Sequence, residues 1–488
     1  LRAHDRMGSR WFATAEKRSL VLTSDEKSSP RRSLKGGKRP APARNRDLPP
    51  AKPGMEARAA AAKLLAAVID RKTSLDGMLD AENGNPAYKV LNEADRALVR
   101  AMLNTALRHL PRIDAAIASL LQTPLPEGAR ALKHVLTVAA AQILYLDVPD
   151  HSAVDLAVEQ ANADPRNRRF AALVNALLRR MSREKADILE RVKDVPAMPD
   201  WFFKRLVSAY GEDVARAIAE AQLTPAAIDL TVKSDAAGWA EKLNGIVLPT
   251  GGVRLAGFDG SVTALAGYED GDWWVQDAAA GLPAQLFGHL KGKTAVDLCA
   301  APGGKTAQLI LAGAEVTALD MSASRLKRLE RNLDRLKLKA KTIEANAGDF
   351  RSEELFDVAL LDAPCSSTGT TRRHPDVLWV KDEADIAKLA GVQERLLRHA
   401  LTLVKPGGLV VFSNCSLDPL EGETVVSRIL ADRPDVERVP VDPSDWPGLE
   451  AAVTPEGALR TTPAMLPLEA PFASGLDGFY AAVLRRLR

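Results

Sequence analysis

The stretch Thr294-Ala295-Val296-Asp297-Leu298-Cys299-Ala300-Ala301-Pro302-Gly303-Gly304-Lys305-Thr306 decides the fold. Its apolar opening, Thr294–Leu298, reads as a strand, and the glycine pair hands over to a helix that begins at Lys305. Such glycines let the backbone approach a ligand closely at a helix N-terminus. Gly304-Lys305-Thr306 mimics the end of a phosphate-binding P-loop, but the glycine that motif needs five residues before Gly304 is Cys299. A dinucleotide-binding fingerprint fails too, because only the pair Gly303-Gly304 is present. What remains is a nucleotide-like ligand without a pyrophosphate, and S-adenosylmethionine fits that description.

Reading outward, a second strand at 315–319 ends at Asp320, 21 residues after Cys299, where a carboxylate is placed to accept both ribose hydroxyls. The next helix, 322–337, puts Leu326, Leu329, Leu333 and Leu336 on one face and therefore packs on the sheet. Asp349, after a strand at 342–345, is a candidate acceptor for the adenine amino group, against the default of a solvated loop acid. Further strands at 357–361 and 409–413 continue the alternation of strand and helix, so 276–488 is expected to be a doubly wound α/β domain of Rossmann-like type. All three cysteines, Cys299, Cys365 and Cys415, directly follow strands of this domain. A free Cys is ordinarily a small buried hydrophobe. Three at the carboxyl ends of strands, where ligands and reacting groups collect, point instead to thiol chemistry.

Three cysteines in 488 residues cannot make a disulfide framework, and no apolar run approaches 18 residues. A reducing, cytoplasmic setting away from membranes is expected. Residues 1–53 carry 14 Lys/Arg and 5 Asp/Glu, so the formal net charge of +3 hides a basic tail on a body that is acidic by 6. That body must bind any polyanion through local patches. Residues 1–54, rich in Arg, Lys, Ser and Pro, are expected to be a disordered tail; Asp25, Glu26 and Asp47 argue against a transit peptide.

Residues 55–190 are rich in Ala and Leu at helical spacing. Helices are expected at 57–70, 93–109, 113–121, 128–146, 152–162 and 167–183, with turns at Pro111, Pro124, Pro126, Pro149 and Pro165. The last helix, with Asp164-Pro165 as cap and first turn, presents Arg166, Arg168, Arg169, Arg179 and Arg180. They form either a solvated face or an RNA patch. Residues 191–275 read as a small α+β connector with helices at 201–210 and 212–221 and strands at 228–232, 252–255 and 273–276.

Four motifs then converge. They are Asp297 to Thr306, Asp362-Ala363-Pro364-Cys365-Ser366-Ser367-Thr368-Gly369, Arg372-Arg373-His374-Pro375-Asp376 and Ser413-Asn414-Cys415-Ser416. Together they resemble the RNA cytosine-carbon-5 methyltransferases of the Sun/Fmu/NOL1 group, over roughly the last 210 residues. Leu476 to Ala482 resembles that family's last strand; Asn414 stands where the family more often has Thr. Asp150 to Val154 and Phe170 to Arg179 resemble the NusB-like RNA-binding helical domain, so the chain from about Met55 looks like the RsmB (Sun, Fmu) type, which methylates 16S ribosomal RNA.

Residue by residue, the resemblance implies that Cys299, Ala300, Ala301, Pro302, Gly303, Gly304 and Lys305 with Asp320, Asp349 and Asp362 hold S-adenosylmethionine. It implies that Cys415 is the nucleophile and that Cys365 assists release of the product. Asp362 is placed to contact the base, and Lys305 either offsets developing charge or caps its helix. Arg372, Arg373 and the helical-domain arginines are the candidates for gripping phosphate. A monomer without a metal is expected. Two alternatives stay open: a transfer-RNA methyltransferase using the same site, and a non-catalytic NusB-like RNA-binding factor.

Overall fold

The computed structural model of the chain describes residues 52–80, 83–257 and 260–488. The basic tail read from the sequence lies outside them up to residue 51. Helices Met55–Arg71, Glu93–Arg108, Leu110–Leu120, Arg130–Tyr145, Asp150–Ala163, Ala171–Arg183 and Lys185–Val192 enclose one core around Leu64, Leu65, Met102, Leu103, Leu136 and Ile143. Two expectations are corrected here. The break read at Pro111 falls at His109, and Pro111 itself occupies the first turn of Leu110–Leu120, where its missing N–H has no partner to lose. Asp164 does not cap a helix that starts at 167. Its carboxylate accepts the backbone N–H of Arg166 at 3.0 Å and the side-chain N–H of Asn167 at 3.1 Å, which closes a tight turn, and the α-helix starts only at Ala171 after one 3₁₀ turn.

The connector contributes helices Asp200–Tyr210 and Glu212–Ala221 and a small antiparallel sheet. Its strands β1 (Asp229–Val232), β2 (Gly245–Val247), β3 (Val253–Leu255) and β4 (Trp273–Val275) lie in the order β2-β3-β1-β4. Arg254, fully buried on β3, makes a bidentate pair with Asp229 on β1 at 2.7 and 2.8 Å and donates to the carbonyl of Ala473 at 2.7 Å. One guanidinium thus ties the small sheet to the C-terminal segment.

The larger sheet holds β5 (Thr294–Leu298), β6 (Glu315–Asp320), β7 (Lys341–Glu344), β8 (Phe356–Asp362), β9 (Val404–Asn414), β10 (Val436–Val439), β11 (Leu459–Thr461) and β12 (Phe479–Arg486). Its order is β7-β6-β5-β8-β9-β12-β10, with β11 also on β12; β7 through β9 are parallel, and β12 runs antiparallel to β9. Alternate residues face opposite layers. Val296, Leu298, Leu361 and Phe412 meet helices Glu383–Leu403 and Glu423–Asp432, while Ala295, Val316, Leu360 and Val411 meet Ala278–Gln285 and Gly304–Leu311. The chain leaves β5 for β6 and β7, then returns to β8 on the other side of β5. The loops after β5 and β8 therefore border the switch point, where an open sheet leaves a crevice.

The segment after Cys365 belongs to two layers of the molecule. Trp379 packs on the helical core and donates its indole N–H to the Leu107 carbonyl at 3.0 Å. Asp376 accepts the Leu75 backbone N–H at 2.9 Å, and Arg108 donates to the Arg372 carbonyl at 2.7 Å.

Removing Asp229 would strand the Arg254 charge in the interior. Asp229→Ala should therefore lose about 3–5 kcal/mol in urea unfolding, whereas replacing both partners by apolar residues of similar volume should cost far less.

Candidate active site

The β5 strand ends at Cys299, whose backbone is left-handed at φ +66°, and Gly303, at φ +102°, caps helix Gly304–Leu311. A Cβ at Gly303 would lie 3.0 Å from Leu329, and one at Gly304 would lie 3.2 Å from the Trp274 indole nitrogen. The glycines are thus needed for packing within the protein as well as for approach to a ligand. The loop forms one wall of a cavity of about 560 Å³, whose lining includes Cys299 through Lys305, Asp297 and Asp362, with Trp274, Gln276, Arg373 and Phe479 opposite.

Asp297 is buried and accepts the Thr306 hydroxyl at 2.6 Å through one oxygen, while the other has no partner in the protein. Burial pushes its carboxyl up to about 7. Such an orphaned acceptor on the cavity wall fits a ligand that brings a hydrogen-bond donor. In the sequence its position on a strand reads as core, so no local signal marks it as a site residue.

Asp362, at the end of β8, accepts from Lys305 Nζ at 2.7 Å and from the Ser413 hydroxyl at 2.9 Å. Lys305 also lies over the Phe479 ring, 5.0 Å from its centre. Beyond Asp362, the loops after β8 and β9 bring the sulfurs of Cys365 and Cys415 to 3.4 Å, both half-buried. A hydrogen bond from Cys365 holds the Cys415 thiol below its ordinary range, with Lys305 adding to the effect, although burial and Asp362 oppose it. Cys365 is held well above its range by that same bond, by burial and by the charge of Glu421. Burial and three carboxylates push Cys299 up to about 12, so it is an inert thiol beside the loop.

Several sequence-derived assignments move. Asp320 is buried beside the loop, where its carboxylate accepts the N–H groups of Ala301 at 3.3 Å and Ser322 at 3.0 Å and meets Arg325 at 3.3 Å. It holds the loop in shape. Asp349 is exposed, and its carboxylate accepts from the Asn346 side chain at 2.7 Å. Arg372 is not a surface grip; it is buried between Asp277 at 3.8 Å and Asp477 at 3.5 Å, partners about a hundred residues away in the chain. Arg373 bonds to the same two acids at 2.6 and 3.0 Å, although it reaches the cavity.

In the helical part, Arg166, Arg168, Arg169, Arg179 and Arg180 are all exposed. Arg166, Arg179 and Arg180 meet Asp164, Asp155 and Glu184, whereas Arg168 and Arg169 have no carboxylate partner among the described residues. No helix among the described residues is long and apolar enough to cross a membrane.

Comparison with known proteins agrees with this arrangement. The family described as 16S rRNA methyltransferase RsmB/F matches residues 285–485, and the NusB family matches 55–183. The chain is 35% identical over 452 residues to "Ribosomal RNA small subunit methyltransferase B" of Vibrio vulnificus (strain YJ016), covering 88% of this chain and 99% of that one. It is likewise 35% identical over 439 residues to the protein of the same description from Xylella fastidiosa (strain 9a5c), covering 87% and 99%. Among solved structures, PH0851 superposes with a TM-score of 0.66 at 22% identity, over 89% of this chain and 99% of that one. A methyltransferase homolog protein from Pyrococcus horikoshii superposes with a TM-score of 0.50 at 28% identity, over 62% and 98%. With an α/β methyltransferase sheet behind a NusB-family helical region, and this level of identity over most of its length, the chain belongs to the RsmB family of ribosomal RNA methyltransferases.

Proposed function

We propose that the protein methylates carbon 5 of a cytosine in 16S ribosomal RNA, with S-adenosylmethionine as the donor and a covalent bond between Cys415 and the base as the intermediate. The observation that carries the reading is the pair Cys365 and Cys415, sulfur to sulfur at 3.4 Å, within reach of Asp362 and Lys305, which line the cavity. The relatives' descriptions point to small-subunit ribosomal RNA.

Carbon 5 of cytosine is too electron-poor to take a methyl group unaided. A thiolate adding at carbon 6 makes the ring enamine-like and carbon 5 nucleophilic. Of the two thiols, Cys415 is the one favoured as thiolate, which suits it to the addition. Asp362 contacts the Watson–Crick edge of the base, and Lys305 offsets the charge that develops there. S-adenosylmethionine, when bound, supplies the methyl group; the loop from Cys299 to Lys305 and the free oxygen of Asp297 are the groups that hold it.

After transfer, the carbon 5 proton leaves and the carbon–sulfur bond breaks, returning the electron pair to Cys415 as thiolate. Cys365, having passed its own thiol proton to solvent once Cys415 is tied up in the thioether, accepts that carbon 5 proton as a thiolate. Once Cys415 is tied up in a thioether it no longer accepts the bond or carries the charge that kept the Cys365 proton in place. Addition of one cysteine thereby readies the other. The base must be unstacked to enter, which is cheapest in a loop of structured RNA. Arg168 and Arg169, free of carboxylates, are the foremost phosphate contacts of the helical region.

Cys415→Ser should lose methyl transfer while both substrates still bind. Cys365→Ala should accumulate a protein–RNA adduct on denaturing gels that requires S-adenosylmethionine, and the double variant Cys365→Ala/Cys415→Ala should show none. Turnover by Cys415→Ser together with a dead Cys365→Ser would reverse the two roles. Bisulfite sequencing of 16S and transfer RNA from a deletion strain identifies the substrate.

Asp297→Asn should weaken S-adenosylmethionine binding by about 1–3 kcal/mol in calorimetry, the cost of a mismatched buried partner. It should also shift stability with pH. The folded chain keeps Asp297 protonated up to about 7, whereas the unfolded chain ionises it near 3.8. Folding therefore becomes costlier for the native protein as pH rises through that window, by at most roughly 4 kcal/mol. The neutral Asn should gain stability over Asp across the window and hold a constant advantage above it.

Neutralising Arg168 and Arg169 should lower the salt dependence of RNA binding by a slope of about 2 in log Kd against log salt, with S-adenosylmethionine affinity intact. An unaltered slope would return both to the role of a solvated surface.

A further inference from the structure

Each reactive cysteine is followed directly by a serine, and both serines point at one acid. Glu421 is fully buried. One of its carboxylate oxygens accepts the backbone N–H of Ser366 at 2.9 Å and the Gln393 amide at 2.9 Å. The other accepts the hydroxyls of Ser366 at 2.5 Å and Ser416 at 2.6 Å. The preceding residues are engaged as well. Gln393 donates a second bond to the carbonyl of Pro364 at 3.0 Å, and Asn414 donates to the Glu421 carbonyl at 2.6 Å. Cys365 and Cys415 are thus each bracketed, before and after, by residues fastened to Glu421 or to its partner Gln393. Four donors on a desolvated carboxylate are far more than a loop acid needs to be satisfied, and they fix the distance between two chain segments some fifty residues apart.

We infer that Glu421 is a positioning residue that holds the Cys365 and Cys415 loops in register, so that Cys365 can complete release of the base bound to Cys415. The inference rests on the proposed roles of the two cysteines. It assigns to Glu421 no contact with substrate or cofactor; Glu421 acts through Ser366 and Ser416.

The test is single-turnover methylation by the full chain with 16S RNA and S-adenosylmethionine, in which adduct formation and adduct decay are followed separately on denaturing gels. Glu421→Gln should bind S-adenosylmethionine as the native protein does, form adduct at close to the native rate, and release it at least about tenfold more slowly, a size ordinary for coupled neighbours. In the Cys365→Ala background the same substitution should add nothing further to the release defect. A purely structural role predicts otherwise: formation and release would slow together, or the two defects would add in full, and either result overturns the inference. Should Glu421→Gln fail to fold, Ser416→Ala keeps the carboxylate and three of its donors and should show the same selective slowing of release in weaker form; native kinetics for Ser416→Ala would equally overturn it. Failure of the cysteine assignment looks different. Cys365→Ala would then leave no adduct at all, whereas an adduct in Cys365→Ala with native release in Glu421→Gln would refute the role of Glu421 alone.

Discussion

Asp362 and Ser413 lie opposite one another in the parallel pair β8–β9, and the chemistry of the molecule depends on that register. Leu361 faces Phe412 one step earlier, so both strands leave the sheet at the same height and their cysteine loops emerge side by side. A slip of one residue would turn Asp362 away from Lys305 and Ser413 and send Leu361 to the wrong layer. The slip is prevented on both faces. Leu361 and Phe412 are buried under helices Glu383–Leu403 and Glu423–Asp432, and Leu360 and Val411 under Ala278–Gln285 and Gly304–Leu311. The apolar layers fix the sheet, and the sheet fixes the thiols.

The same loop that carries Cys365 continues into the helical region. Asp376, Trp379 and the Arg372 carbonyl are all held by residues between Leu75 and Arg108. A helical domain attached by a linker alone would move independently of the sheet. Here the hydrogen bonds run from the helical region into the segment 7 to 14 residues beyond Cys365, and Leu378 and Leu417 share a cluster with the connector helix Asp200–Tyr210. Packed side chains and hydrogen bonds thus join the helical region directly to the segment that follows Cys365.

The strands around Cys299, Cys365 and Cys415 were legible because buried parallel strands are short apolar runs bounded by small residues, and a β-strand side chain alternates whatever its neighbours are. The helices were legible for a similar reason, as at Glu212–Ala221, whose bounds agree with its periodicity to the residue. What the sequence could not display was pairing over long separations. Asp277 and Asp477 give no local sign that they will neutralise Arg372 and Arg373, so adjacent arginines read as a surface grip. Glu421 sits six residues after Cys415 in a loop without periodicity, and only its burial reveals what it binds. Asp320 ends β6 and Asp349 lies five residues past β7, yet such a position fixes a Cα and leaves open which way the carboxylate turns.

The cluster of Asp277, Asp477, Arg372 and Arg373 explains why the arginine pair is better spent inside. Burying four charges is expensive, and an apolar substitute of equal volume can match the stability. An apolar cluster, however, has no direction. Here Asp277 also accepts the Ala279 N–H at the start of helix Ala278–Gln285 and the Asp477 N–H just before β12, while Arg373 donates to the Ala227 carbonyl of the connector at 3.1 Å. Three segments remote in sequence are thereby set at hydrogen-bonding precision around the cavity. A guanidinium committed in this way cannot also follow a phosphate backbone. The exposed arginines of the helical region are committed differently: Arg168 donates to the Asn162 carbonyl at 3.0 Å and Arg169 lies over the Phe170 ring, and neither meets a carboxylate among the described residues, so their charge stays uncompensated at the surface.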